Sequence, residues 1–165
     1  MVSKKVCMLG AFSVGKTSLV EQYVRSIFSD QYLSTVGVKI SKKLLTVDST
    51  EVNLVLWDME GKDEFVDINM AYLRGAMGFL VVADLSRRET LEEALQIRSS
   101  VLDILGEKTP NILLLNKCDL ETLEIPETQI AGLEAKGIPI IKTSAKLNIG
   151  VKEAFVAIST QMLAV

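Results

Sequence analysis

The chain has 165 residues, 48% of them hydrophobic and 24% charged, an ordinary globular mix that argues for one folded domain and against disorder. Its 18 basic and 21 acidic side chains leave a net charge of −3, so there is no basic excess to drive nucleic acid binding. Histidine is absent, which excludes histidine general bases, nucleophile pairs and metal ligands, and two cysteines, Cys7 and Cys118, are too few for a disulfide framework or a zinc site.

In chain order, Val6 to Leu9 reads as the first strand, after an N-terminus too short in apolar residues for a signal peptide. It runs into Gly10 to Thr17, GAFSVGKT, which matches G-x-x-x-x-G-K-[ST]. Leu19, Tyr23 and Ile27 then recur at helical spacing. A loop of this kind between a strand and a helix curls so that successive N–H groups face one anion, and the helix start adds partial positive charge. Ser13, Val14, Gly15, Lys16, Thr17 and Ser18 are therefore candidates for phosphate binding. Lys16 would reach the β- and γ-phosphates, and the Thr17 hydroxyl would ligate Mg²⁺.

Val38 to Val47 and Val52 to Trp57 form a hairpin around Asp48, Ser49 and Thr50. Directly after it stands Asp58-Met59-Glu60-Gly61. An acidic residue at a strand end facing a phosphate loop holds Mg²⁺, and the Gly61 N–H can approach a γ-phosphate because no side chain intervenes. Alone this signal is weak; the loop upstream gives it weight.

Phe79 to Ala83 is a continuous apolar run, as in a strand covered on both faces. Leu91, Ala94, Leu95, Val101, Leu102 and Leu105 make a helical stripe. Ile112 to Leu115 is another buried strand and ends in Asn116-Lys117-Cys118-Asp119. A carboxylate accepts at two oxygens and donates nothing, while guanine offers two adjacent donors and adenine offers no matching pair. Asp119 would thus select guanine by bidentate, charge-assisted bonds, with the Lys117 stem over the base and Asn116 tying loops together. Ile138 to Ile141 is the last strand, and Thr143-Ser144-Ala145-Lys146 follows it. Small residues there let a backbone N–H reach the guanine O6 acceptor, a weak signal by itself. Val151, Ala154, Phe155, Ile158 and Met162 make a closing amphipathic helix.

Strands alternating with helices imply right-handed βαβ units around a mostly parallel α/β sheet, with one antiparallel edge strand from the hairpin and helices on both faces. Ligands bind beyond the carboxyl ends of such strands, where all four motifs fall. Residues 1–165 show no repeat or linker, so a single domain is expected. With no membrane-length apolar stretch and no cysteine in the final ISTQMLAV, we expect a cytoplasmic monomer with no membrane anchor on this chain.

The four motifs in this order resemble the Ras superfamily of small GTPases, and the Rab branch is the nearest fit. Residues 34–38, STVGV, resemble the Rab switch I, and residues 57–65, WDMEGKDEF, resemble the Rab pattern WDTAGQERF. Thr143 to Lys146, with Ala154-Phe155, also read as Rab-like. The resemblance covers almost the whole chain. It implies a P-loop G domain with a six-stranded mixed sheet and five helices, binding GTP or GDP with Mg²⁺ as a slow GTPase switch. Loops near residues 31–38 and 60–75 would be ordered by the γ-phosphate and released on hydrolysis. Effector, exchange-factor and activating proteins would read and set that state. The resemblance also adds Thr35, joining Mg²⁺ and the γ-phosphate in the triphosphate state, and Phe28, packing against guanine.

Three residues depart from the family pattern. Lys62 stands where the family has its water-positioning glutamine. Glutamine both accepts and donates, whereas charged lysine only donates, so slow intrinsic hydrolysis is expected. Phe12 replaces the glycine of Ras beside the γ-phosphate, and Glu60 replaces the usual alanine, where a carboxylate repels phosphate unless it turns away. The catalytic candidates are Lys16, Thr35, Gly61 and Lys62, and the metal candidates are Thr17, Thr35 and Asp58. Two alternatives compete: a GTP-binding interaction module with negligible turnover, and a different P-loop enzyme such as an ATPase or nucleotide kinase. Asp119 argues against the latter, and none of the arginines falls in an obvious lid.

Overall fold

A computed structural model describes residues 1–25, 30–33, 38–58 and 70–165, with the backbone alone described at 30–33 and at 70. The strands are β1 (Val2–Gly10), β2 (Asp30–Leu33), β3 (Lys39–Val47), β4 (Thr50–Asp58), β5 (Gly78–Asp84), β6 (Asn111–Asn116) and β7 (Ile140–Lys142). The helices are α1 (Lys16–Val24), α2 (Met70–Leu73), α3 (Arg88–Leu105), α4 (Glu127–Ala135) and α5 (Val151–Leu163). The strands form one sheet in the order β2-β3-β4-β1-β5-β6-β7. β4, β1, β5, β6 and β7 run parallel, while β2 and β3 pair antiparallel with their neighbours.

Alternation along the central strands builds two cores, because successive side chains point to opposite faces. Cys7, Leu9, Val81, Ala83, Leu113 and Leu115 meet Leu91, Ala94 and Val101 of α3 on one face. Val6, Met8, Leu80, Val82, Ile112 and Leu114 meet Leu19 of α1 and Ala154, Phe155 and Ile158 of α5 on the other. All seven positions of β5 are buried, as its unbroken apolar run requires. Tyr23 of α1 stacks on Phe155 of α5 at 4.2 Å between ring centres, fixing one helix against the other. Burial pushes the Cys7 thiol up to about 12, although the nearby Lys5 charge opposes the shift, so it remains an inert core thiol. Among the described residues no helix is long and apolar enough to cross a membrane.

The six expected strands are present, and the four-residue β2 lies beyond β3, so the hairpin strand is not the outer edge of the sheet. The sequence DQYL has no apolar run to announce a strand; its backbone pairing with β3 makes it one. β7 starts two residues later than the apolar run from Ile138, because Pro139 has no N–H to give. Its carbonyl still accepts from the Leu113 N–H at 2.9 Å. The expected first helix ends at Val24, and Ile27 lies outside the described residues. Helix α4 completes the five helices the resemblance implies, but no apolar stripe locates it in the sequence: it buries only Ile130 and Leu133, though Pro126 at its start is a usable signal.

Candidate functional site

Four adjacent parallel strands, β4, β1, β5 and β6, end at Asp58, Gly10, Asp84 and Asn116. Three of these end residues belong to the sequence motifs, and the fourth, Asp84, was missed. Between Gly10 and α1 the chain turns tightly. Gly10 has φ +145°, and a Cβ there would stand 2.5 Å from the Val82 carbonyl oxygen. Gly15 has φ +100°, and a Cβ would collide with the Asn116 side-chain amide. Both positions therefore require glycine.

Lys16 folds back over the loop that bears it, its Nζ donating to the Gly10 and Ala11 carbonyls at 2.8 and 2.9 Å. The Thr17 hydroxyl donates to Asp58 Oδ2 at 2.6 Å, so the two described metal candidates meet across 41 residues of sequence. Asp58 is buried. One carboxylate and one hydroxyl are hard oxygen donors that suit Mg²⁺, which keeps most of its shell for water and phosphate. Among the described residues no group of three His, Cys, Asp or Glu could cage a metal ion. The donor set thus fits a cation shared with a phosphate ligand and not one fully enclosed by protein.

Asn116 is the hub of the opposite end. Its Nδ2 donates to the Val14 carbonyl at 2.9 Å, while its Oδ1 accepts from Thr143 Oγ1 at 3.0 Å and, more loosely, from the Ala145 N–H at 3.4 Å. One buried amide thus ties the first motif to the fourth. Lys117 has φ +66° and sends its Nζ to the Ser13 carbonyl at 2.9 Å, so its stem crosses the cleft. Asp119 Oδ1 accepts from Ser144 Oγ at 2.7 Å, which in turn accepts from the Leu147 N–H at 3.0 Å. Gln22 of α1 donates to the Ala145 carbonyl at 3.0 Å. The resulting cleft, about 450 Å³, is lined by Gly15, Ser18, Asn116, Lys117, Asp119, Ala145 and Lys146 among others. A cleft of that size suits a small ligand of nucleoside dimensions. Val14 lies in the core and contributes backbone only, whereas Ser13 is exposed.

Asp84 is 1% exposed and still ionised. Burial disfavours its charge, but hydrogen bonds from the Ser86 hydroxyl, Lys117, the Ser86 N–H and Arg87 more than offset this and hold its pKa down at about 2. Its Oδ2 takes Lys117 Nζ at 2.9 Å and Arg87 Nε at 3.0 Å. The signal for Asp84 was present in the sequence: a carboxylate ending an apolar strand, as with Asp58.

The structure therefore brings Ser13, Val14, Gly15, Lys16, Thr17, Ser18, Asp58, Asn116, Lys117, Asp119, Ser144, Ala145 and Lys146 to one end of the sheet. Phe28, Thr35, Gly61 and Lys62 lie outside the described residues, as does Glu60. Phe12 is 52% exposed on the loop.

Comparison with known proteins matches residues 5–164 to the sequence model of the Ras family. The chain is 37% identical over 158 residues to the Ras-related protein Rab-32 of Homo sapiens, covering 91% of this chain and 70% of the relative. It is 33% identical over 157 residues to the GTP-binding protein YPTM1 of Zea mays, covering 94% and 76%. It is 30% identical over 161 residues to the Ras-related protein Rab-13 of Bos taurus, covering 96% and 79%.

Proposed function

The chain belongs to the Ras family and is Rab-like, and from that premise we propose that it is a magnesium-dependent switch that binds GTP and GDP and hydrolyses GTP slowly. Residues 1–165 would act as one G domain. The observation that carries the reading is Asn116, whose single amide joins the Val14 carbonyl of the phosphate loop to Thr143 beside the base pocket. A ligand spanning both ends must carry phosphates at one and a base at the other.

Base recognition falls to Asp119, whose carboxylate accepts from the guanine N1–H and 2-amino groups. The Ser144 hydroxyl, donating to Asp119 Oδ1, keeps that carboxylate oriented. At the other end the Gly15-led start of α1 and the N–H groups of Ser13 to Ser18 would hold the phosphates. Lys16 would leave its loop carbonyls to neutralise charge growing on the β- and γ-phosphates during in-line attack by water. Thr17 and Asp58, joined by Thr35 in the triphosphate state, would hold Mg²⁺, which supplies further positive charge to the same oxygens. Gly61 would offer its N–H to the γ-phosphate. Lys62 donates but cannot accept a hydrogen bond from the attacking water, and this supports slow turnover. It also favours a second reading, a GTP-binding interaction module with negligible turnover. In either case effector, exchange-factor and activating proteins would respond to the bound nucleotide.

The test is to load the purified protein with GTP and Mg²⁺ against an excess of ATP, then follow a single turnover. Selective uptake with slow phosphate release, of order 10⁻⁴ s⁻¹, supports the switch. Selective uptake with GTP intact over days favours the interaction module. Equal uptake of ATP overturns the guanine assignment and with it the role of Asp119.

A further inference from the structure

In a trans peptide a carbonyl and the N–H that follows it point in opposite directions. Holding a carbonyl outward from a loop therefore aims the next N–H inward. Three successive carbonyls in the loop are held this way. Phe12 O accepts from Arg87 Nη2 at 2.9 Å, Ser13 O from Lys117 Nζ at 2.9 Å, and Val14 O from Asn116 Nδ2 at 2.9 Å. The N–H groups so aimed are those of Ser13, Val14 and Gly15. Ser13 itself sits at φ +59°, a conformation serine rarely adopts without outside support.

Two of the three donors share one mount. Arg87 Nε and Lys117 Nζ both meet Asp84 Oδ2, and Asp84 Oδ1 takes the Ser86 N–H and hydroxyl at 2.8 and 2.6 Å. Arg87 alone touches both the mount and the loop's first held carbonyl with one planar group. Its guanidinium fork gives Nε to Asp84 and Nη2 to Phe12 O. Lysine ends one atom short of Nη2 and lacks the planar fork, so at position 87 it would not reach Phe12 O while bonded to Asp84.

We propose that Arg87 is a positioning residue of the nucleotide site: mounted on Asp84, it holds the Phe12 carbonyl outward so that the Ser13 N–H faces the bound phosphates. The inference rests on the reading of Gly10 to Thr17 as the phosphate loop. It assigns the start of α3 a part in nucleotide retention that no motif in the sequence marks. It also makes retention of phosphate and placement of Lys117 at the base depend on the same carboxylate.

Release of a fluorescent GDP analogue from the whole chain, together with ³¹P spectra of bound GDP, tests this. Arg87→Ala should release the nucleotide about tenfold faster than wild type, the worth of one partly exposed charge-assisted hydrogen bond. It should also shift the β-phosphorus resonance, which a general loss of stability would not do. Arg87→Lys should not restore either value. Arg88→Ala, next in the chain and bonded to Glu124 through its backbone N–H, should match wild type in both. Should Arg87→Ala fail to fold, Arg87→Gln keeps a polar side chain and is expected to show the same two changes. Wild type that takes up no GDP overturns the proposed function. Wild type that takes it up, with release within twofold in Arg87→Ala, overturns this inference alone. Faster release with an unmoved phosphorus signal, or full rescue by lysine, overturns it as well.

Discussion

Replacing Asn116 by alanine removes three hydrogen bonds at one stroke. The residue is 2% exposed, so water cannot replace the lost partners. The Val14 carbonyl loses its donor at 2.9 Å, and the Thr143 hydroxyl loses its acceptor at 3.0 Å. Each buried group left unsatisfied costs about 1–3 kcal/mol. The Ala145 contact at 3.4 Å is long and adds little. A total of about 2–6 kcal/mol follows, a large share of the roughly 5–15 kcal/mol that holds a domain together. The change also frees the phosphate loop from the base pocket, so nucleotide should dissociate at least tenfold faster as the two halves of the site lose their fixed separation. Urea unfolding with GDP at saturation gives the first quantity, and displacement of a fluorescent GDP analogue gives the second. A stability loss below about 1 kcal/mol with unchanged release would refute the view of Asn116 as the tie between the two ends.

Asp119→Asn replaces an acceptor with a donor where guanine carries its 2-amino group. It should weaken GDP by about 100-fold and favour xanthine nucleotides, whose 2-oxo group accepts; competition binding that still prefers GDP would contradict the assignment. Lys62→Gln restores a group that accepts from water and should raise the single-turnover rate of GTP hydrolysis several-fold; an unchanged rate would count against Lys62 as the slow element. Asp84 titrates near 2 when folded and near 3.8 as a free carboxyl, so the stability it lends is complete above about pH 4 and disappears as pH falls toward 2. Asp84→Asn should abolish up to about 2 kcal/mol of that acid dependence in urea unfolding measured across pH 2 to 5; an acid limb as steep as that of wild type would remove Asp84 as its cause.

The parallel sheet and most of the site were legible because their signals are local. Glycine at 10 and 15, a lysine and threonine after them, and polar residues closing apolar runs each state their chemistry within a few residues. Strand β2 and helix α4 were not legible for the opposite reason. The backbone of 30–33 becomes a strand by pairing with residues 39–42, which its own DQYL does not announce, and α4 covers the core with two side chains. The Asp84 mount shows an intermediate case. Its position at a strand end was readable, but its bonds to Lys117 and through Arg87 to Phe12 cross 33 and 75 residues of sequence, so no spacing rule could reveal them. Phe28 and Thr35, which rest on family resemblance alone, lie outside the described residues.

Trp57 is the one tryptophan in the sequence, and its chain neighbour is Asp58. Lys5 Nζ sits 3.4 Å over its ring, and the Tyr72 ring meets it edge-on at 6.1 Å. The same lysine donates to the Tyr72 and Arg74 carbonyls at 2.6 and 2.8 Å, while the Tyr72 hydroxyl donates to the Trp57 carbonyl. Indole emission shifts with the electric field across the ring, and here a cation and the backbone beside Asp58, the carboxylate proposed to hold Mg²⁺, both set that field. The protein consequently carries its own optical gauge: intrinsic fluorescence should track nucleotide and magnesium occupancy in real time, with no dye attached.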